Sequence, residues 1–350
     1  MTAPLVLRSR NEAVAIAVPL KGAFVAVLLC VAVLVIVAIS LMSGSYPLDL
    51  PGVWQTLTGT PPDGTAATVV WQFRFPRLLT SLLVGMLLGL SGAILQNVTL
   101  NPLADPSLVG VSQGASFAVV AVIVAFPQAD GPLRPLYAFT GALAVAALIQ
   151  WIAMKRAGGA TMRFILTGIG IAAFISAITS ALLTYGRVDQ ALSALGWLAG
   201  SIHAAGWGEV RSLSLMALVM LPALIWAAGP MRALRFGPDV ATGLGVSVRV
   251  TRIVLITLAV ALAAVAVSAV GPLGFVGLIA PHLARRMVQT GLGLHLILTA
   301  LTGAIMVAGA DLLGRALFAP VQIPAGIVTA LVGVPIFVLV LLRSQARTQL

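Results

Sequence analysis

Residues 77–97 read Arg-Leu-Leu-Thr-Ser-Leu-Leu-Val-Gly-Met-Leu-Leu-Gly-Leu-Ser-Gly-Ala-Ile-Leu-Gln-Asn, and no charged side chain follows Arg77 in this stretch. A membrane-spanning helix needs about 20 apolar residues, because each residue rises ~1.5 Å and the hydrocarbon core is ~30 Å thick. Over the whole chain, 60% of the 350 residues are hydrophobic and 8% are charged. Soluble domains carry about 25% charged residues. The sequence therefore predicts an all-α polytopic membrane protein.

Further apolar runs, bounded by charged residues, prolines or turn residues, continue on both sides of this stretch. We interpret about ten runs as transmembrane helices. We expect a tail at 1–21, a ten-helix transmembrane domain at 22–343 and a second tail at 344–350. The polar stretch 43–75 is interpreted as a loop, and 190–200 as a short interfacial helix. The predicted spans lie near 22–43, 77–97, 107–126, 135–154, 164–184, 209–228, 250–270, 274–288, 295–314 and 325–342.

Positive charge is divided unevenly between the two sets of loops that these spans create. Six of the 20 Lys and Arg residues fall on one side, which leaves 20 − 6 = 14 on the other. Because positively charged loops are retained in the cytoplasm, we expect both termini there. The cations stand singly or in pairs, without the basic cluster typical of nucleic-acid binding. The six outer cations are Arg74, Arg77, Arg134, Arg187, Arg211 and Arg315.

The sequence lacks the motifs of several other functional classes. An ATP-binding P-loop places a lysine after a glycine, but the two lysines, Lys21 and Lys155, follow Leu20 and Met154. The histidines do not follow a metal-binding spacing, and the single cysteine, Cys30, excludes an internal disulfide. We therefore expect no catalytic residue, no metal and no cofactor bound by this chain. A stand-alone secondary transporter remains an alternative, although few ionisable residues lie within the spans.

Two segments carry small residues along one helix face. Lipid gives no hydrophobic drive between helices, so small residues permit the close backbone approach that holds membrane helices together. The pattern indicates helix packing, with a pathway or a hinge at these helices as the functional alternative. The first set is Ser81, Gly85, Gly89 and Gly92, and the second is Gly271, Gly274 and Gly277.

Three polar strings interrupt the apolar pattern. In 96–115, two prolines and several polar residues predict a fixed turn between helices. The string 271–286 predicts a short helix that ends in two arginines, and 234–249 predicts two short helices or turns on the cytoplasmic side. The turn residues are Asn101, Pro102, Asp105 and Pro106 in the first string, Pro281 and His282 in the second, and Pro238 and Asp239 in the third.

Together these strings resemble the FecCD-type permeases of bacterial ABC importers for iron-siderophore, haem and cobalamin. The resemblance runs from about 70 to 343, and its segments follow in the family's order. Each segment alone is a weak signal, but the whole set is specific for this family. The matching segments are 74–77 (RFPR), 91–96, 101–106 (NPLADP), 110–115, 197–201 (WLAGS) with Trp207, 241–245 (ATGLG), 274–282 (GFVGLIAPH), Asp311 with Arg315, and 323–337.

The resemblance implies the architecture of a type II ABC importer in the bacterial inner membrane. Two permease subunits, identical or paralogous, would surround a central pathway, and two separate ATPase subunits would use ATP and Mg²⁺. An external substrate-binding protein would deliver the substrate. The chain would then be a transport subunit and not an enzyme. A ferric siderophore is the expected substrate, with haem and cobalamin as alternatives.

The resemblance also implies roles for individual residues. Arg74, Arg77 and Arg315 are expected to receive acidic residues of the binding protein, since a guanidinium grips a carboxylate at two points. The glycine faces are expected to border the pathway or the subunit interface. Two departures from the family, at 289–295 and at Gln322, bear on the subfamily. The segment 234–249 is expected to be the coupling loop received by the ATPase, through Gly237, Pro238, Asp239, Ala241, Thr242, Gly243, Leu244 and Gly245.

Overall fold

The computed structural model describes residues 5–8, 15–44, 46–126, 131, 133–154, 160–318 and 321–345. The predicted inner cations Arg10, Lys155 and Arg156 and the tail residues 1–4, 9–14 and 346–350 lie outside them. A helix matches each of the ten predicted spans. These helices are α1 (Leu20–Met42), α4 (Phe75–Thr99), α5 (Val111–Ala125), α6 (Arg134–Met154), α7 (Ala160–Tyr185), α9 (Trp207–Leu234), α11 (Val248–Val270), α12 (Val276–Met287), α13 (Leu292–Ala316) and α14 (Ala325–Gln345).

Within the described residues, seven helices are long and apolar enough to cross a membrane. Two of the others are shorter than their predicted spans. Helix α5 starts only at Val111, because Pro106–Val109 forms a 3-10 turn and Gly110 is left-handed with φ of 78°. Helix α12 has 12 residues, since 271–275 is not helical. Its length of about 18 Å is less than the thickness of the hydrocarbon core.

Two elements differ from the predicted tail and loop. The N-terminal tail contains an antiparallel hairpin of β1 (Leu5–Arg8) and β2 (Ala15–Val18), which adds a small sheet to the helical fold. The stretch predicted as a loop contains α2 (Leu50–Leu57) and α3 (Gly64–Thr68).

Both of these short helices begin at an aspartate. The Asp49 Oδ1 accepts a hydrogen bond from the Gly52 amide at 2.9 Å, and the Asp63 Oδ1 accepts one from the Ala66 amide at 2.6 Å. Such N-caps satisfy amides that a helix start leaves unpaired. The Ala66 amide, followed by the Tyr46 hydroxyl, lowers the pKa of Asp63.

A π-helical turn, Val69–Arg74, joins α3 directly to α4. The Trp71 Nε1 donates to the Thr56 carbonyl at 3.2 Å, and the Trp207 Nε1 donates to the Trp71 carbonyl at 2.8 Å. The rings of Trp71 and Trp207 both pack on Phe75, with centroid distances of 5.2 and 5.9 Å. These contacts tie α2 and the π-helical turn to the starts of α4 and α9. The remaining short helices are α8 (Val188–Leu198), close to the predicted interfacial helix, and α10 (Pro238–Gly243).

Helix α4 lies at the centre of the fold. In its most apolar stretch of 18 residues, 78% of the residues are buried within the protein. This share is higher than in any other long apolar helix among the described residues. Small residues allow this packing, because a Cβ at Gly85 would lie 2.2 Å from the Gly303 carbonyl oxygen of α13. On another side, the Ser91 hydroxyl donates to the Ala259 carbonyl of α11 at 2.5 Å. The helix that first indicated a membrane protein is thus surrounded mainly by protein.

Candidate functional site

The first candidate site lies where α4 and α13 meet at the predicted outer face. The guanidinium of Arg77 binds the carboxylate of Asp311 at two points, with Nε 2.9 Å from Oδ2 and Nη2 2.8 Å from Oδ1. Both side chains are largely buried, at 14% and 5% exposed. A two-point pair of this kind is geometrically specific and stronger than a neutral hydrogen bond. It fixes the end of α4 against α13.

The other two arginines of the predicted docking set hold the end of α1. The Arg74 Nη1 donates to the Leu41 carbonyl at 2.6 Å, and its Nη2 donates to the carbonyl of Tyr46. The Arg315 Nη1 donates to the Ser43 carbonyl at 2.6 Å. The last carbonyls of a helix have no partner within the helix, and cations are favourable there. Both guanidiniums therefore cap the C-terminus of α1.

A cavity of about 890 Å³ opens beside these three arginines. We call it the outer cavity. On this side, the Arg77 Nη1 contacts the Gln322 Oε1 at 2.8 Å and the His203 Nδ1 at 3.3 Å, and both contacts are exposed. The Nε and Nη2 atoms of Arg77 are thus hydrogen-bonded to Asp311, and its Nη1 atom is accessible from the cavity. The lining residues include Tyr46, Gln72, Arg74, Arg77, His203, Arg315 and Gln322.

The sequence prediction missed His203. It lies in the loop between α8 and α9, and no motif or spacing in that loop singles it out. Gln322 entered the prediction only as a departure from the family, and the structure brings it to Arg77.

The second candidate site is the segment predicted to couple to an ATPase. Helix α10 begins with Pro238 at its first turn, between two left-handed glycines, Gly237 with φ of 96° and Gly245 with φ of 80°. These positions require glycine, because other residues are strained there. Ala241 is buried against the bundle, and the Thr242 hydroxyl donates to the Pro238 carbonyl at 2.8 Å.

Large apolar side chains stand exposed around α10. Phe236, Val240 and Leu244 are 72%, 50% and 66% exposed. A Cβ at Gly243 would meet no atom within 4 Å. Compact and apolar at its surface, this segment has the properties of a protein contact.

The predicted turn at 101–106 is held by its own polar side chains. The Asn101 Oδ1 accepts from the Leu103 amide at 2.9 Å, and the Asp105 Oδ1 accepts from the Ser107 amide at 2.8 Å. Burial raises the pKa of Asp105, and the hydrogen bonds from Ser107 oppose this shift. A Cβ at Gly277 would lie 2.6 Å from the Pro106 Cδ, so the turn packs directly on α12. This turn positions α12.

Pro281 and His282 lie in α12. Pro281 is buried, and the Arg286 Nε lies 3.4 Å from the His282 Nε2. His282 and Pro102 line a cavity of about 10 Å³, which has room for a single water molecule at most. Among the described residues, no three His, Cys, Asp or Glu side chains are grouped so that they could hold a metal ion.

Most of the predicted pathway glycines lie at contacts within this chain. A Cβ at Gly89 would be 2.9 Å from the Thr299 carbonyl oxygen, and one at Gly92 would be 1.8 Å from the Gly277 carbonyl oxygen. Gly274 has no atom within 4 Å of a built Cβ. The structure thus assigns a packing role to Gly85, Gly89, Gly92 and Gly277, and leaves Gly274 as the open member of the set.

Comparison with known proteins decides the family. A model of the FecCD transport family matches residues 30–343. The chain belongs to the FecCD transport family. It is 38% identical over 314 residues to the achromobactin transport system permease protein CbrC of Dickeya dadantii, covering 89% of both chains. It is 37% identical to the Fe(3+)-citrate import system permease protein YfmE of Bacillus subtilis, covering 94% of this chain and 98% of that one.

A solved structure agrees with this membership. An inward-facing metal-chelate type ABC transporter matches with a TM-score of 0.80 at 29% identity, covering 92% of this chain and 99% of that chain. The predicted FecCD resemblance, the helical permease architecture and the role of a transport subunit without enzymatic activity of its own are confirmed. The chain is an ABC importer permease of this family.

Proposed function

We propose that this FecCD permease carries a ferric chelate, with a ferric siderophore as the first candidate, across the bacterial inner membrane. The proposal rests above all on the relatives, whose names refer to achromobactin, Fe(3+)-citrate and ferric enterobactin. Haem and cobalamin stay as alternatives within the same family. A large chelate that a binding protein delivers needs an open passage more than tight ligation by the permease. A chain with only 8% charged residues fits such a passage.

Energy would come from two ATPase subunits that bind the segment 234–249 and use ATP and Mg²⁺. The exposed apolar residues Phe236, Val240 and Leu244 support this, because an apolar patch of this kind is costly in water unless a partner covers it. The two left-handed glycines that flank α10 permit a tight turn on each side of it and so keep the segment compact.

The pathway would form between two permease subunits, either two copies of this chain or this chain and a paralogue. Membrane helices associate through close packing of small residues. Most of the glycines discussed above already pack within the chain, whereas Gly274 has open space around it and lies two residues before α12. We place Gly274 at the pathway or at the subunit interface.

A substrate-binding protein would dock over the outer cavity through Arg77, with Arg74 and Arg315 shaping its wall. The accessible Nη1 of Arg77 supports this assignment, since it meets only the exposed groups Gln322 and His203 on that side. A carboxylate of the partner would replace these neutral contacts with a charge-assisted one.

Both termini would lie in the cytoplasm, with α10 inside and the outer cavity outside. The support is the division of basic residues into 14 and 6. In the fold, α10 directly follows α9, whereas Arg77 is at the start of α4 and His203 precedes α9. Because α9 is 28 residues long, or about 42 Å, it is long enough for its two ends to reach opposite membrane surfaces, which supports this arrangement.

The function is tested by reconstituting the chain in lipid vesicles with its ATPase and its binding protein. We expect the binding protein loaded with a ferric siderophore to stimulate ATP hydrolysis and iron uptake, and the same protein offered haem or cobalamin to do neither. Uptake by the chain alone, driven by an ion gradient and independent of ATP, would instead establish a secondary transporter.

A further inference from the structure

Two buried amides, Gln96 and Asn97, stand side by side in the last turns of α4. They are 3% and 6% exposed. The Gln96 Nε2 donates to the Leu278 carbonyl of α12 at 3.1 Å, and the Gln96 Oε1 accepts from the Arg285 Nη2 at 3.4 Å. Gln96 therefore joins the end of α4 to α12. Such a buried amide is costly to leave without partners.

Asn97 joins the same helix end to α9. In the orientation that satisfies both ends of its carboxamide, the oxygen accepts from the Arg235 Nε at 2.8 Å and the nitrogen donates to the Met231 carbonyl at 3.1 Å. The bond from Arg235 involves a charged donor, and such bonds are roughly twice as strong as neutral ones. It is the direct polar contact between the buried end of α4 and the first residue after α9.

Arg235 stands at the root of the cytoplasmic segment. Two residues separate α9 from the left-handed Gly237, and α10 follows at once. Of α10 itself, Ala241 is the buried residue. A displacement of α10 therefore reaches Arg235 within two residues and passes to α4 through Asn97.

We propose that Asn97 is a positioning residue that transmits movement of the ATPase-bound segment to α4, and through Gln96 to α12. This inference rests on the proposed function, because it assumes that an ATPase moves α10. Transmission through a hydrogen-bonded contact requires that both partners be present, so loss of either should uncouple ATP hydrolysis from events at the outer face.

The test uses the complete reconstituted complex and compares two substitutions of similar size. Asn97→Leu removes both hydrogen bonds, whereas Asn97→Asp retains an acceptor toward Arg235. The measured quantity is the coupling ratio, defined as ATP hydrolysis with loaded binding protein divided by hydrolysis without it. We expect Asn97→Leu to lower this ratio and iron uptake about fivefold, with basal hydrolysis and ATPase co-purification within about twofold of wild type. Asn97→Asp should keep most of the ratio.

Thr99→Ala is the matched control, since the Thr99 hydroxyl donates only to the Leu95 carbonyl of its own helix, at 2.7 Å. Its coupling ratio should equal that of wild type. A wild-type complex that shows no stimulation would contradict the proposed function, and not this inference. With stimulation present, an unchanged ratio in Asn97→Leu, or equal ratios in the Leu and Asp variants, would overturn the inference.

A further comparison decides the matter if Asn97→Leu does not assemble. Asn97→Asp is then measured both in the wild-type chain and together with Arg235→Ala. The inference requires that the effect of the aspartate differ between the two backgrounds, because the contact exists only when Arg235 is present. Equal effects in both backgrounds would overturn it.

Discussion

Arg77 and Asp311 are separated by 234 positions in the sequence, yet their side chains form a two-point ion pair with Nη2 2.8 Å from Oδ1. The pair uses the Nε and Nη2 edge of the guanidinium, and Nη1 remains directed at exposed groups. Breaking a pair this buried leaves an uncompensated charge and costs about 3–5 kcal/mol. A test of docking should therefore leave the pair in place.

Docking is predicted to depend on the charge at the accessible side of Arg77. Gln322→Glu places a carboxylate next to Nη1 without removing the pair with Asp311, and it should occupy the position that a partner's carboxylate would take. We expect the affinity for the binding protein to fall about tenfold and to lose much of its dependence on salt, because charge steering weakens. Titration of the binding protein at two salt concentrations measures both effects.

The control for this prediction is a charge change elsewhere on the outer face. Arg187 is exposed and forms an ion pair with the exposed Asp189, at 3.2 Å. Arg187→Glu should change affinity little, since exposed pairs are worth about 0–1 kcal/mol. Equal losses for the two variants would show that overall charge, and not Arg77, guides docking.

Arg74 and Arg315 are predicted to act mainly on stability. Replacing either by Gln removes charge-assisted hydrogen bonds to the last carbonyls of α1 and should cost about 1–3 kcal/mol. We expect a lower Tm in detergent for Arg74→Gln and Arg315→Gln, with the affinity for the binding protein within about twofold of wild type. A normal Tm with lost affinity would instead assign both arginines to direct docking.

Local sequence patterns predicted the long helices, because their formation depends on residues that are close together in the sequence. Apolar runs of about 20 residues predicted α1, α4 and α11, because one helix must satisfy its own backbone groups in lipid. The helices in 43–75 were missed, since they are short and begin at aspartate caps within a stretch rich in proline. Helix α12 was predicted to begin too early, at 274, because the apolar run includes 274–275, which the structure leaves outside the helix.

The sequence identified candidate functional residues but not the residues that they contact. Arg74, Arg77 and Arg315 were found by resemblance, but their partners were not, because pairing with Asp311 or with the end of α1 depends on contacts far apart in sequence. Asn97 was likewise quoted without a role. The role of a buried amide can be assigned only when the helix that packs against it is known. The spacing of residues along the chain does not identify that helix.

Tight helix packing is predicted to fail when a side chain is added at Gly92. A Cβ there would lie 1.8 Å from the Gly277 carbonyl oxygen, so α4 and α12 would have to separate. We expect Gly92→Leu to abolish accumulation of the folded permease, measured by yield and by monodispersity in size-exclusion chromatography. Gly170→Leu in α7 is the matched control, because a Cβ at this exposed glycine meets no atom within 4 Å. Similar losses for both would contradict the packing assignment.

The orientation of the chain predicts which positions react with an impermeant thiol reagent applied outside the cell. In a Cys30→Ala chain produced without its ATPase, Pro62→Cys in the outer segment should be labelled, and Asp239→Cys in α10 should be labelled only after the membrane is permeabilised. Both positions are exposed, so accessibility within the protein does not explain a difference. External labelling of Asp239→Cys would reverse the orientation.

The ATPase contact is predicted to tolerate little added bulk at Gly243. In this chain a side chain there would meet no atom within 4 Å, and Gly243 has no left-handed conformation that requires glycine. Gly243→Trp should therefore leave the Tm of the permease unchanged and weaken ATPase association at least tenfold, or about 1.4 kcal/mol, by steric exclusion. Gly245→Ala differs, since φ of 80° makes any side chain strained by about 1–2 kcal/mol in the permease itself.

The comparison that isolates the contact is Gly293→Trp at the start of α13. This glycine also has open space around a built Cβ, and it lies on the same predicted cytoplasmic side but outside 234–249. Because the added bulk is identical, any loss of ATPase association that is confined to Gly243→Trp comes from α10. Normal association and normal transport in Gly243→Trp would show that the ATPase binds this subunit elsewhere. Equal weakening by both variants would mean that the contact extends from α10 to the α12–α13 turn.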